Sequence, residues 1–503
     1  MSLDAMLLFG AVVLIAAVGA ARLGSRLGLP SLLLFLALGL SLELVGIRMT
    51  DAALAHALGF AALVFILAEG GFSTKWVDIK GSLTIAGLLA TVGVVVSIAL
   101  VAAFCHLVVG LPLPQSVLVG AITAPTDSAA IFSVLRGMPL PARVRSVLEG
   151  ESGLNDAPIV LLVGAATAWT LGDLPGGPLA LGMTVALELV GGVALGALIG
   201  FAGGRLLRSV ALPASGLYPL AALAVAVLAY GLGVWLHLSG FAAVYVAALI
   251  LGNSQLPHRN ATRSFAEGIG WIAQIGLFVM LGMLAAPERL TPQMVVESLL
   301  IGGFLTFVAR PVSVVLCSVW FKVPWREQAF TSWAGLRGAV PIMLATIPLT
   351  QNLPNANHIF NVTFLLVVTF TLLQGPTLPR FARWMGVTEA ISQHAVTFDS
   401  SPLEGIDASL VQVGVPPGSR IAGMYADDLR LPRGAVLSMV IRGDEVLVPD
   451  RSTRLHEDDQ LLLAVRTDLV ERTQRRLELL HEGGALARWV TSGRNRRRLT
   501  DDA

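Results

Sequence analysis

Charge is what this 503-residue sequence has least of: 13% of its residues are Asp, Glu, Lys or Arg, against about one quarter in soluble domains. That shortage excludes an ordinary soluble fold. With 55% apolar residues and a mean hydropathy of +0.76, the chain reads as a polytopic membrane protein. Cysteine is nearly absent as well. Cys105 and Cys317 lie in separate apolar stretches with no metal-ligand spacing around them, which excludes a disulfide framework and a zinc site and leaves two small packing residues. Lysine is rare, three against 31 arginines, as in a GC-rich bacterial genome. No P-loop or nucleophile elbow occurs. Gly191, Gly192 and Gly196 follow no strand, so they read as helix-packing glycines and not as a dinucleotide fingerprint. The expectation is a protein without a cofactor and without a nucleic-acid partner.

What is present is a series of apolar stretches near 4–21, 31–46, 53–72, 82–109, 115–135, 146–171, 178–204, 216–236, 240–254, 265–285, 291–320, 327–350 and 359–379. A helix needs about 20 residues to span a bilayer, and these give thirteen spans. The first lacks a basic region ahead of it and is read as a span, not a cleaved signal peptide. Loop charges test the count, because Lys and Arg favour the cytoplasmic side. Alternate loops starting after span 1, with the chain leaving span 13, hold fifteen basic residues from Arg22 to Arg383, and the other loops hold only Arg48 and Arg289. The N-terminus is therefore expected outside and the tail in the cytoplasm of a bacterial inner membrane.

Charges inside spans are costly, roughly 3 kcal/mol each on insertion scales, and so demand a use. Span 5 carries Asp127 behind Pro125, and span 6 carries Glu149, Glu151 and Asp156. Arg310 lies in span 11, and Arg337 lies in span 12 within Gly335-Leu336-Arg337-Gly338-Ala339-Val340-Pro341. Spans 5 and 12 are both interrupted and cross in opposite directions, which is the pattern of an inverted repeat with broken helices at a transporter site. At 1.5 Å per residue, Asp156 and Asp127 reach about the same level, near mid-membrane. Ser152 shares a helical face with Asp156.

Thr126-Asp127-Ser128, Glu149-Gly150-Glu151-Ser152-Gly153-Leu154-Asn155-Asp156 and Gly335-Leu336-Arg337-Gly338 together resemble the monovalent cation/proton antiporters of the sodium/proton exchanger branch. Ser128, where many members have proline, is similar to the potassium/proton antiporters that carry a regulatory tail. The resemblance implies a homodimer with spans 4–6 and 11–13 as a moving bundle. It implies Asp156 as the principal carboxylate, with Asp127, Ser152 and Thr126 as neighbours and Asn155 as a supporting hydrogen-bonding residue. Asn155 in place of a second aspartate is the mark of electroneutral members. Glu151 is implied in an intramembrane ion pair, with Arg337 the preferred partner and Arg310 the competitor.

The residues support the same chemistry. A hard alkali cation, K+ or Na+, is liganded by oxygen, and Asp127, Asp156, Thr126 and Ser152 supply oxygens. A proton can occupy the same carboxyl as the cation, and burial, which disfavours a bare carboxylate, lets it compete. Ser128 and the tail favour K+. Glu69, near the cytoplasmic end of span 3, is a candidate for the access funnel and equally for an interfacial carboxylate. Glu43, Glu188 and Glu297 receive no role. His56, His106, His237 and His258 form no cluster and are expected at loops or span ends. The alternative function is a gated cation channel, against which stand the interrupted inverted helices and the lack of a filter motif.

The chain divides into 1–386, a membrane domain; 387–403, a linker; 404–485, a small α+β domain; and 486–503, a basic solvated end. Strands are expected at 410–413, 436–441, 446–448 and 460–465 and a helix at 468–481. This part resembles the C-terminal subdomain of potassium-transport regulatory modules, which implies either a small-ligand sensor or a dimer clamp.

Overall fold

The computed structural model describes residues 3–27, 29–47, 49, 51–127, 140–172, 177–285, 288, 290–388, 398–402, 408–443 and 445–483. The chain forms two compact units, Met1–Glu389 and Ala390–Ala503. Ser128 and the basic end 486–503 lie outside the described residues.

The first unit is helical: α1 (Leu3–Leu27), α2 (Ser31–Leu44), α3 (Ala52–Ser73), α4 (Leu83–Val109), α5 (Leu113–Thr123), α6 (Ala142–Leu171), α7 (Gly177–Ser209), α8 (Leu217–Trp235), α9 (Gly240–Asn253), α10 (Arg259–Leu284), α11 (Pro292–Phe321), α12 (Trp325–Trp333), α13 (Ala339–Thr350) and α14 (Ala356–Met385). Among the described residues nine are long and apolar enough to cross a membrane, and α2, α5, α9 and α13 are shorter apolar helices. The ends obey local chemistry. Asp51 caps α3 through the N–H groups of Ala53 and Leu54, and Thr291 caps α11 ahead of Pro292. Gly110, Gly172 and Gly386 end α4, α6 and α14 with positive φ, which costs glycine little. His237 and His258 stand in turns, also at positive φ.

These helices pack as two bundles. One holds α1–α3 and α7–α10, and the other holds α4–α6 and α11–α14. The first is knitted by glycines: a Cβ on Gly196 would fall 2.4 Å from the Ala243 carbonyl oxygen, so α7 and α9 meet backbone to backbone. In the second, Ser97 of α4 hydrogen-bonds Ser313 of α11 at 2.8 Å, 216 residues away. Both helices have a π turn just ahead of that serine, Leu89–Gly93 and Leu305–Ala309, and such turns rotate the residues that follow.

The second unit is a five-stranded antiparallel sheet, β1 (Phe398–Pro402), β2 (Ala408–Gly414), β3 (Ala435–Arg442), β4 (Glu445–Leu447) and β5 (Gln460–Arg466), in the order β1-β2-β5-β3-β4. The helix α15 (Val470–Gly483) buries Leu477 and Leu480 in a core with Val411, Val413, Val440, Leu461, Leu463 and Val465. Alternation along β2 and β5 drives this packing. β1 falls within the stretch that the sequence marks as a linker.

A candidate cation site between two non-helical segments

The second bundle brings together most of the charged residues singled out from the sequence. After α5 ends at Thr123, residues 124–127 are non-helical and run beside the non-helical 334–338 between α12 and α13. The two segments are stitched reciprocally. The Asp127 N–H donates to the Leu336 carbonyl at 2.9 Å, and the Ala339 N–H donates to Asp127 Oδ2 at 3.0 Å. Arg337 Nε in turn donates to the Thr123 carbonyl at 3.5 Å, and its Nη1 donates to the Gly335 carbonyl. A carboxylate thus faces the electropositive start of α13 and a guanidinium faces the electronegative end of α5, the favourable sense for both helix dipoles. Gly338 makes room, since a Cβ there would fall 1.8 Å from Asp127 Oδ2.

Helix α6 supplies the other side. Ser152 Oγ donates to the Thr126 carbonyl at 2.8 Å, and Asn155 Nδ2 donates to Thr126 Oγ1 at 3.0 Å. These two bonds hold the unwound backbone against α6. Asp156, one turn beyond Ser152, is half-buried, and its Oδ1 is buried with no hydrogen-bond partner among the described residues. It lies close enough to Asp127 for the two charges to interact. Asp156, Asp127, Ser152 and Thr126 thus carry oxygens around the non-helical 124–127, the donor types a hard monovalent cation takes.

The intramembrane ion pair is Glu151 with Arg310, not with Arg337. Arg310 grips Glu151 through both Nη atoms, Nη2 to Oε2 at 2.8 Å, and the two residues are 3% and 1% exposed. The π turn that ends at Ala309 sets the direction of Arg310, while Arg337 is committed to carbonyls. Arg337 Nη2 is buried without a partner among the described residues. The two guanidinium groups are neighbours: Arg310 Nε lies 2.7 Å, and Arg337 Nη1 3.3 Å, from the point a Gly335 Cβ would occupy. Glu69 stands apart from this group at the seam of α3 and α10, accepting from Ser73 Oγ at 3.0 Å and lying against Gly270.

Three contributors escaped sequence reasoning. Thr371 Oγ1 of α14 donates to the Arg337 carbonyl at 2.6 Å, and Gln374 Nε2 donates to the Trp333 carbonyl at 3.2 Å, so α14 satisfies carbonyls that the break leaves open. Their i, i+3 spacing on an apolar helix was the available signal. Tyr245 of α9 packs against α6, its hydroxyl 2.7 Å from where a Gly153 Cβ would be, near both Glu149 and Asp156.

A multi-pass helical membrane protein in which two non-helical segments meet beside buried carboxylates has the architecture of a secondary transporter. Comparison gives the particular kind. Residues 12–384 match the sodium/hydrogen exchanger transmembrane family, and residues 410–478 match the TrkA-C domain. The chain is 33% identical over 481 residues to a K(+)/H(+) antiporter NhaP of Alkalimonas amylolytica, covering 92% of this chain and 82% of that one. It is 34% identical over 470 residues to the K(+)/H(+) antiporter NhaP2 of Shewanella oneidensis, with coverages of 92% and 81%. The structure of the sodium proton antiporter MjNhaP1 from Methanocaldococcus jannaschii superposes with a TM-score of 0.66 at 23% identity, over 77% of this chain and all of that one. The chain belongs to the sodium/hydrogen exchanger family: it is a membrane cation/proton antiporter with a C-terminal TrkA-C domain.

Proposed function

We propose that the protein exchanges one monovalent cation, K+ in preference to Na+, for one proton, the two competing for Asp156. The carrying observation is the balance of buried charge. At the two non-helical segments Asp127, Glu151 and Asp156 stand against Arg310 and Arg337, with Glu149 set apart two turns before Asp156 on α6, so this group when fully ionised is one negative charge in excess. A single cation neutralises it, and so does a single proton. The empty carboxylate is the costly state for the bilayer to surround, which favours movement only when loaded. Asn155, neutral where a third site carboxylate would unbalance the sum, supports a one-for-one exchange.

Ser152 and Asn155 hold Thr126 so that its oxygens face the cation, and Asp127 supplies fixed negative charge while capping α13. In this reading the thirteen crossings are α1–α11, α12 with α13, and α14, with spans 5 and 12 the broken pair. The bundle α4–α6 with α11–α14 moves against the other, opening the carboxylates alternately to each side, in a homodimer of the bacterial inner membrane with its N-terminus outside and its tail in the cytoplasm. The names of the NhaP relatives support K+, and the TrkA-C domain would bias exchange through a small ligand or dimer contacts. The test is purified protein in liposomes holding a pH dye. Pulses of K+ or Na+ should move protons through the wild type and not through Asp156→Asn, with K+ the more effective. Equal exchange by the variant would remove Asp156 from the site, and a wild type that moves no protons would defeat the antiport reading.

A further inference from the structure

The two bundles also meet away from the carboxylates, where α3 begins. His56 Nδ1 lies 3.0 Å from Thr346 Oγ1, and the Thr346 hydroxyl donates to the Met343 carbonyl at 2.6 Å. A hydroxyl that has given its single proton can only accept, so His56 must present its Nδ1–H to Thr346. Thr346 is wholly buried. One turn along α3, Gly59 admits Met343 so closely that a Cβ there would fall 2.2 Å from the Met343 sulfur. His56 is itself braced: its ring lies 4.3 Å from that of Phe60, Phe60 lies 5.4 Å from Phe241 of α9, and Phe241 lies 5.2 Å from Tyr230 of α8. A row of rings therefore anchors His56 in the first bundle. Its one donor bond reaches α13 in the second, the helix whose first N–H is held by Asp127.

Resting on the antiport reading above, we infer that His56 is a positioning residue of the exchange: its bond to Thr346 ties α13 to α3 and has to part each time the site opens to the side where α3 begins. The bond stabilises the state closed on that side. Losing it shifts the balance between the two open states about fivefold, the worth of one net hydrogen bond.

Three substitutions separate donor from ring. His56→Phe keeps the ring against Phe60 and loses the N–H, His56→Asn keeps an N–H near the same place, and Thr346→Val removes the acceptor at nearly constant volume. Right-side-out and inside-out vesicles give the half-saturating K+ concentration at each face. The ratio of the two values should change about fivefold in His56→Phe and in Thr346→Val, in the same direction, with tighter apparent binding at the face where α3 begins. His56→Asn should stay within about twofold of wild type, and the double variant should match the singles because both remove one bond. A wild-type ratio in either single, or effects that add in the double, overturns the inference while leaving antiport intact. Wild-type vesicles in which K+ and Na+ move no protons overturn the antiport reading and this one with it. Where transport is too slow for a ratio, hydrogen exchange of purified protein decides. Residues 339–350 should exchange faster in His56→Phe than in His56→Asn, and equal protection overturns the inference.

Discussion

The buried pair of Glu151 and Arg310 makes a prediction that depends on a third residue. Removing one member of a buried ion pair typically costs about 3–5 kcal/mol, because the other charge is left in the dark. Here the two removals are not equivalent. In Glu151→Gln, Arg310 and Arg337 remain side by side, no farther apart than the two distances that place them around Gly335. Two unit charges about 6 Å apart in a medium of effective dielectric 20 repel by roughly 3 kcal/mol. In Arg310→Met the stranded Glu151 still has the Arg337 guanidinium close by, and that attraction offsets part of the loss. The double variant Glu151→Gln with Arg310→Met leaves neither a stranded carboxylate nor paired cations. The expected order of thermal stability for purified protein in one detergent is wild type, then the double variant within about 1–2 kcal/mol, then Arg310→Met, then Glu151→Gln lowest. If Arg310→Met melts below Glu151→Gln, Arg337 is not acting on this pair. If the double falls by the sum of the singles, Glu151 and Arg310 are not coupled and the ion-pair argument fails.

Gly338→Ala should reduce exchange more than tenfold while the protein still folds into membranes, since its Cβ would fall 1.8 Å from a carboxylate oxygen that has no long flexible stem to swing away; initial rates of cation-driven proton movement check this, and wild-type rates would contradict the placement of Asp127. In the C-terminal unit Asp459 is buried, which by itself would raise its carboxyl, but the paired bonds from Arg442 at 2.8 and 2.9 Å and the His456 N–H outweigh that and hold it below the usual range. A carboxyl lowered on folding contributes stability that is complete above its unfolded value of about 3.9 and is lost as pH falls toward the folded value. Hydrogen-exchange protection over β3 and β5, taken relative to the intrinsic rate at each pH, should therefore hold from pH 7 to about 4 and fall below, and Arg442→Met should move that onset to higher pH.

Much of the membrane unit was legible because lipid is a severe solvent. Apolar runs of spanning length mark helices, and Asp127, Asp156, Glu151, Arg310 and Arg337 stand out simply by being charged within them. The partner of Glu151 was not legible. Both arginines lie at workable depth, and the choice turns on a π turn at Leu305–Ala309 that leaves no trace in apolar periodicity, and on the demand of the α5 carbonyls for a cation. Thr371 and Gln374 were passed over because an uncharged polar residue in a span is common, and their value appears only beside an unwound neighbour. β1 was missed for a related reason. Phe-Asp-Ser-Ser-Pro has no alternation of its own and is a strand only because the edge of β2 pairs with it.

The bond between Ser97 and Ser313 has a consequence for how this chain can vary. Matching π turns and matching serines, 216 residues apart, make α4 and α11 counterparts that touch at equivalent positions, as two subunits do on the axis of a dimer. A change at such a point meets its own counterpart, so the two positions are constrained jointly: a bulky side chain at one needs a cavity at the other. Ser313 is one helical turn from Arg310, so a substitution at Ser97, whose described hydrogen bond is to Ser313, would be transmitted along α11 to the grip on Glu151. Tuning of the carboxylates can thus be reached from the middle of a helix that carries no charge of its own.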